Sequence, residues 1–162
     1  LSDIAKDTDI SIPTAKNWLS ILQASFQVYL IQPYHSNITK RLINTPTLYF
    51  LDTGLSSYLT EWASAETLQA GAISGAIFET YVLAEWLKSN CNTGLQPALY
   101  YYRDKDKKEI DFLIEQNQKL YPIEVKKAAM PKRDWITSFS ALQKLKKDRH
   151  NLIPEDLRRE KV

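Results

Sequence analysis

After Gly94 the apolar period of this chain changes from about 3.6 residues to 2, and that switch restricts its fold more than any other feature. Before it, Ile73, Ala76, Ile77, Tyr81, Ala84 and Leu87 recur at helical spacing. Phe78, Val82, Leu83 and Trp86 widen the stripe until it nearly surrounds the rod, which predicts one long, mostly buried helix. Glu79 lies among these apolar neighbours, so it is paired, protonated or functional. SNCNTG closes the helix, with Gly94 as its C-terminal stop. Beyond it, residues 98–103 (ALYYYR), 109–115 (EIDFLIE) and 120–127 (LYPIEVKK) read as three strands joined by the polar turns DKDKK and QNQK. The class is α/β (α+β).

Alternation decides which side chains share a face. Ile110, Phe112 and Ile114 are expected on one side, with Glu109, Asp111 and Glu115 on the other; Tyr121, Ile123 and Val125 oppose Pro122, Glu124 and Lys126. A two-residue turn at Asn117 and Gln118 sets opposite Asp111 the residue Glu124, and opposite Glu109 the residue Lys126. Two carboxylates facing each other across neighbouring strands repel unless a cation lies between them. Mg²⁺, or Mn²⁺ in its place, suits such an oxygen pair. Asp111 and Glu124 would hold it while Lys126 orients or deprotonates an attacking water. The pattern Asp-x(12)-Glu-x-Lys is therefore a candidate engine for phosphodiester hydrolysis. A Glu109–Lys126 ion pair on a solvated strand is the plain alternative.

The N-terminal stretch contains two short helical patterns. Leu1, Ile4 and Ala5 form the first; Ala15, Trp18, Leu19 and Leu22 form the second, with Ser11 as N-cap and Pro13 in the first turn. This is helix-turn-helix spacing, and it leaves Lys16 and Asn17 on an outer face suited to phosphate and base-edge contacts, or simply to water. Two apolar runs, residues 26–32 (FQVYLIQ) and 47–51 (TLYFL), bracket a turn-rich segment carrying Lys40 and Arg41. A helix-turn-helix followed by such a hairpin is a winged helix, used either for DNA or for packing between domains. Asp52 or Thr53 then caps a short helix.

Charge divides unevenly along the chain. Residues 1–125 hold 10 basic and 14 acidic side chains, whereas residues 126–162 hold 11 basic and 5 acidic, within a total of only +2. The C-terminal cations either guide a phosphate backbone toward the acids or form a solvated helix and tail. Cys91 is the single cysteine and His35 and His150 the only histidines, which excludes an internal disulfide and a Cys/His zinc site and points to the cytoplasm. No apolar run approaches the roughly 18 residues of a membrane-spanning helix, so no membrane partner is expected. Leu1 in place of an initiating Met reads as a piece of a longer protein.

The order helix (GAIFETYVLAEWLK), strand (LYYYR), strand (EIDFLIE), strand (LYPIEVKK), helix (WITSFSALQKL) resembles the nuclease-like core of the PD-(D/E)XK superfamily. With NTPTLYFLDTGLSSYL and the winged-helix opening, residues 1–145 resemble the C-terminal region of prokaryotic AAA+ family ATPases, catalogued as domain of unknown function 4143. The resemblance implies a winged helix-turn-helix over 1–60, a PD-(D/E)XK restriction-endonuclease-like domain over 61–150 and a charged tail over 151–162. It implies Asp111 and Glu124 as metal ligands, Lys126 as the catalytic lysine, Glu79 as the helix acid that joins them, and Tyr102 and Arg103 as site-lining residues. Two departures stand out. The four glycines form no G-x(4)-G-K-[ST] loop, so no nucleotide site of that kind is expected here. The closing apolar strand of the family pattern is replaced by KKDRHNLIPEDLRREKV, which would leave an open sheet edge that invites homo-oligomerisation.

Two functions follow as expectations. One is a DNA-associated module of an AAA+ ATPase, the ATPase domain lying elsewhere in the parent chain, that cleaves DNA with Mg²⁺; Lys16, Asn17, Lys40, Arg41, Arg103 and Lys127 would contact the nucleic acid. The other is a catalytically inactive nuclease-like platform that binds or regulates the ATPase or a partner protein.

Overall fold

Local caps set the helices. Ser11 accepts the Thr14 N–H at 3.2 Å and starts α2 (Ile12–Ala24), which follows α1 (Ser2–Asp7). Asp52 accepts the Leu55 N–H at 2.9 Å and starts α3 (Thr53–Leu59). Ser64 and Thr67 form a reciprocal capping box at the head of α4 (Ala65–Ala70), and the long helix α5 runs over Ser74–Asn92. Past its end Gly94 takes φ +74°, a left-handed backbone that glycine adopts without penalty. This computed structural model describes residues 1–34, 45–95, 98–103, 108–117, 119–140 and 142. Lys40, Arg41, the position of the expected closing strand and the tail 151–162 lie outside them.

Five strands form one mixed sheet: β1 (Val28–Pro33), β2 (Thr47–Phe50), β3 (Ala98–Arg103), β4 (Glu109–Gln116) and β5 (Lys119–Ile123), in the order β2-β1-β3-β4-β5. β1 and β3 run parallel, with Gln32 opposite Tyr100 and Pro33 opposite Tyr101; all other neighbours are antiparallel. Strands from both halves of the chain thus lie in one sheet. The β4–β5 register is the expected one, with Phe112 opposite Ile123 and Gln116 opposite Lys119. Asn117 takes φ +51° at that turn, which its short polar side chain tolerates.

Two apolar clusters hold the layers together. Ile31, Leu83, Leu87, Leu99 and Phe112 pack between the sheet and α5; Tyr34, Tyr102, Ile110, Leu113, Leu120 and Leu142 form the other, with Phe139 of a 3-10 helix (Arg133–Phe139) against them. Three sequence expectations change here. Ile110 joins Leu113 rather than Phe112, because the step from Tyr100 to Tyr102 on β3 spans the longer step from Leu113 to Ile110 on β4. A bulge at Asp111 and Phe112 absorbs that extra residue and interrupts the alternation. The third meander strand stops at Ile123 instead of continuing to Lys127. Finally, α5 is not enclosed: Leu83, Ala84 and Leu87 are buried, but Phe78 and Tyr81 are exposed, because the sheet covers only one side of the rod.

Candidate active site

The β4–β5 register places Asp111 where β5 ends. There the Val125 N–H donates to Asp111 Oδ2 at 2.8 Å, so a side-chain carboxylate takes the place of a strand carbonyl. This accounts for the early end of β5. It also draws Glu124 and Lys126 to Asp111. Lys126 Nζ lies 2.6 Å from Glu124 Oε1 and 3.6 Å from Asp111 Oδ2. The Glu124 and Asp111 side chains are only 12% and 14% exposed while that of Lys126 is 42% exposed, so two nearly dry carboxylates share one ammonium that still reaches water.

Glu79 projects from α5 into the same electrostatic neighbourhood. Burial pushes its carboxyl above the ordinary range; a hydrogen bond from Tyr49 and the charge of Lys126 oppose that, and Asp111 and Glu124 add to it. The Tyr49 hydroxyl donates to Glu79 Oε1 at 2.5 Å, and its ring lies 5.9 Å from that of Phe112. Burial and this carboxylate drive the Tyr49 phenol far above its usual value. Burial likewise raises the Glu124 carboxyl, against the pull of Lys126, with Asp111 adding to the rise. Burial alone would lower Lys126, but Glu124 and Asp111 outweigh it and the ammonium is stabilised. Three acids against one lysine leave the site with unbalanced negative charge.

Two buried atoms of the site lack a well-formed hydrogen bond: Glu124 Oε2 and the hydroxyl of Ser138, which is near enough to favour the charged carboxylate. A buried acceptor left unpaired costs about 1–3 kcal/mol. A divalent cation beside it, held with Asp111 and completed by water, fits this donor set, since Mg²⁺ commonly takes one or two carboxylates and keeps several waters. Among the described residues no group of three or more His, Cys, Asp and Glu side chains is close enough to hold a metal ion. Glu79 therefore stands beside the carboxylate pair and not within it.

The remaining candidates go elsewhere. Glu109 does not pair with Lys126. Its cross-strand partner Arg103 holds it at 2.7 Å, leaving Lys126 to the two acids. Lys127 donates to the Gln69 carbonyl at 2.5 Å, tying the segment after β5 to α4. Tyr102 is buried in the apolar cluster of Leu113 and Leu120, which corrects its expected place lining the site. Lys16 and Asn17 are exposed on α2. Tyr49 was not foreseen. Its only trace in the sequence is a hydroxyl within the apolar run TLYFL.

Residues 74–159 match the model of a domain of unknown function (DUF4143), and the chain belongs to that family. Residues 1–66 match a second domain of unknown function (DUF8612). An uncharacterised protein of Mycobacterium bovis and another of Mycobacterium tuberculosis are each 29% identical over 133 residues, which cover 80% of this chain and 29% of theirs. The chain thus spans less than a third of the length of these relatives. No solved structure matches it. No helix among the described residues is long and apolar enough to cross a membrane.

Proposed function

We propose that this chain is a DNA-associated module with a PD-(D/E)XK nuclease-like core, working beside the AAA+ ATPase domain of a longer parent protein and cleaving DNA phosphodiesters with Mg²⁺ or Mn²⁺. The observation that carries the reading is the largely buried Asp111–Glu124 pair, bridged by Lys126, with Glu124 Oε2 and the nearby Ser138 hydroxyl in no well-formed hydrogen bond. Buried polar atoms in structural ion pairs are usually bonded. Bound there, a divalent ion would supply charge against the phosphate and lower the pKa of a water.

The chain's own groups account for the rest. The Val125 N–H fixes the Asp111 carboxylate. Lys126, kept protonated by two carboxylates, orients water and offsets charge developing on a phosphate oxygen, as a preorganised cation does. Glu79, whose affinity for a proton is raised by burial, accepts a proton from the attacking water. Lys16 and Asn17 on the exposed side of α2 contact duplex DNA, joined by Lys40, Arg41, Arg103 and Lys127; the last two would have to exchange Glu109 and the Gln69 carbonyl for phosphate.

Incubating the protein with supercoiled and branched DNA in Mg²⁺ or Mn²⁺ tests this. Nicking is expected, reduced at least about 100-fold by Asp111→Ala, Glu124→Ala or Lys126→Ala. No cleavage, or cleavage that survives these changes, removes the catalytic reading. One observation favours a second reading, an inactive platform for the ATPase or another protein. An apolar groove of about 270 Å³ lies between α1, α2 and the β1–β2 pair, lined by Ile4, Trp18, Leu22, Val28, Leu48 and Phe50. DNA affinity that falls with salt at a slope of several phosphates counts against the platform.

A further inference from the structure

Glu79 is held by a residue from the opposite end of the sheet. Tyr49 lies within β2, thirty residues before Glu79, and its hydroxyl donates to Glu79 Oε1 at 2.5 Å. The Tyr49 ring packs against Phe112, tilted by 54°, and Phe112 follows Asp111 directly in β4. One rigid aromatic side chain therefore touches the strand that bears the first acid and the helix that bears the third. A glutamate on a helix surface has three rotatable bonds and samples many positions, whereas a tyrosine has two and is fixed once its ring is packed. A hydrogen bond from a packed phenol thus converts a mobile carboxylate into a placed one.

The strand that carries Tyr49 has a second contact. Leu48 and Phe50, on either side of Tyr49, line the groove under α1 and α2, while Tyr49 joins the cluster beneath α5. Successive residues of a strand point to opposite faces, so β2 meets the N-terminal helices with one side and the acid site with the other.

We propose that Tyr49 is a positioning residue for Glu79, so that a strand of the N-terminal segment completes the acid site. The inference rests on the nuclease reading above and extends it. It does not concern the metal ligands, and Tyr49 itself touches no reacting atom. It requires that the hydroxyl act through Glu79 alone.

The test is a double-substitution cycle in the full chain, read by single-turnover cleavage of duplex DNA in Mn²⁺. Tyr49→Phe keeps the ring against Phe112 and removes only the hydroxyl. The expected loss is about tenfold in the rate at saturating DNA, the worth of one hydrogen bond to a charged group, with the half-saturating DNA concentration unchanged. Glu79→Gln should lose at least as much, and the double variant should cleave no more slowly than Glu79→Gln alone. A hydroxyl that merely supported the fold would give losses that multiply, and that result overturns the proposal. So does a Tyr49→Phe protein that cleaves at the unsubstituted rate while Glu79→Gln is slowed. If the unsubstituted protein itself does not cleave, the nuclease reading falls and this inference with it; cleavage that only Tyr49→Phe leaves intact removes the inference alone.

Discussion

Around the end of β5, two largely buried carboxylates share one ammonium beside a third, half-buried carboxylate, whereas along α1, α2 and the turn after them large apolar side chains stand in solvent. Asp111 and Glu124 are nearly dry; Trp18 is 55% and Phe26 78% exposed. Both regions depart from what stability alone would choose, one by burying charge and the other by exposing hydrocarbon. The departures differ in kind. At the carboxylate pair each charge has a specific neighbour, and the deficit is local, at Glu124 Oε2 and the Ser138 hydroxyl beside it. Along α2 the deficit is diffuse, spread over Ile12, Trp18, Ile21 and Leu22. A local polar deficit specifies chemistry, whereas a diffuse apolar strip specifies only that something is to be covered.

Substitutions sharpen the contrast. The largest effect on stability is expected in the sheet core, at Leu113, fully buried where β3, β4 and β5 meet. Leu113→Ala should cost about 2–5 kcal/mol by urea denaturation, since both the transferred methyl groups and the cavity count. A cost below about 1 kcal/mol would mean that the β3–β4–β5 core is not the support on which Asp111 and the end of β5 rest.

A smaller, pH-dependent effect is expected at Glu79. Its carboxyl holds a proton more tightly folded than unfolded, so the stability it contributes is fully present below the ordinary carboxylate range and is lost as pH rises through the raised value. Glu79→Gln keeps an oxygen for the Tyr49 hydroxyl and removes the charge. Its melting temperature should exceed that of the unsubstituted protein at pH 7.5, by a few degrees at most, and the difference should vanish toward pH 4. A lower melting temperature at pH 7.5 would mean that Glu79 supports the fold and is not a strained functional acid.

The smallest effect is expected at Phe26. It is exposed and takes φ +57°, a conformation unfavourable for a large side chain, and its ring gains little in return. Phe26→Asn should stabilise the chain by roughly 0.5–1 kcal/mol. Destabilisation in urea would show that the ring is packed after all and that the N-terminal region is less open than its exposure indicates.

Much of this architecture was legible in local pattern. Ser11 and Asp52 cap as their spacing required, Gly94 ends α5, and the count of residues between Gln116 and Lys119 fixes the β4–β5 register. Asp111, Glu124 and Lys126 meet because of that register. What escaped the sequence depends on contacts across the sheet. The bulge at Asp111 exists only relative to β3, so alternation along β4 alone could not reveal that Ile110 changes partners. Arg103 takes Glu109 because strand pairing sets them opposite each other, and this frees Lys126 for the acids. Tyr49 reaches Glu79 because β1 joins β3 in parallel, a pairing between distant segments that no local period encodes. The segment with the densest chemistry was therefore readable by residue and unreadable by partner.

The proposed nuclease chemistry depends on a divalent cation binding at Asp111 and Glu124. Crystals soaked in Mn²⁺ and measured for anomalous scattering address it directly. A peak is expected within ligand distance of Asp111 and Glu124, with Lys126 Nζ displaced from Glu124 Oε1 and waters completing the shell. An ordered site at millimolar Mn²⁺ with no peak there, and Lys126 still bridging the two carboxylates, would contradict it.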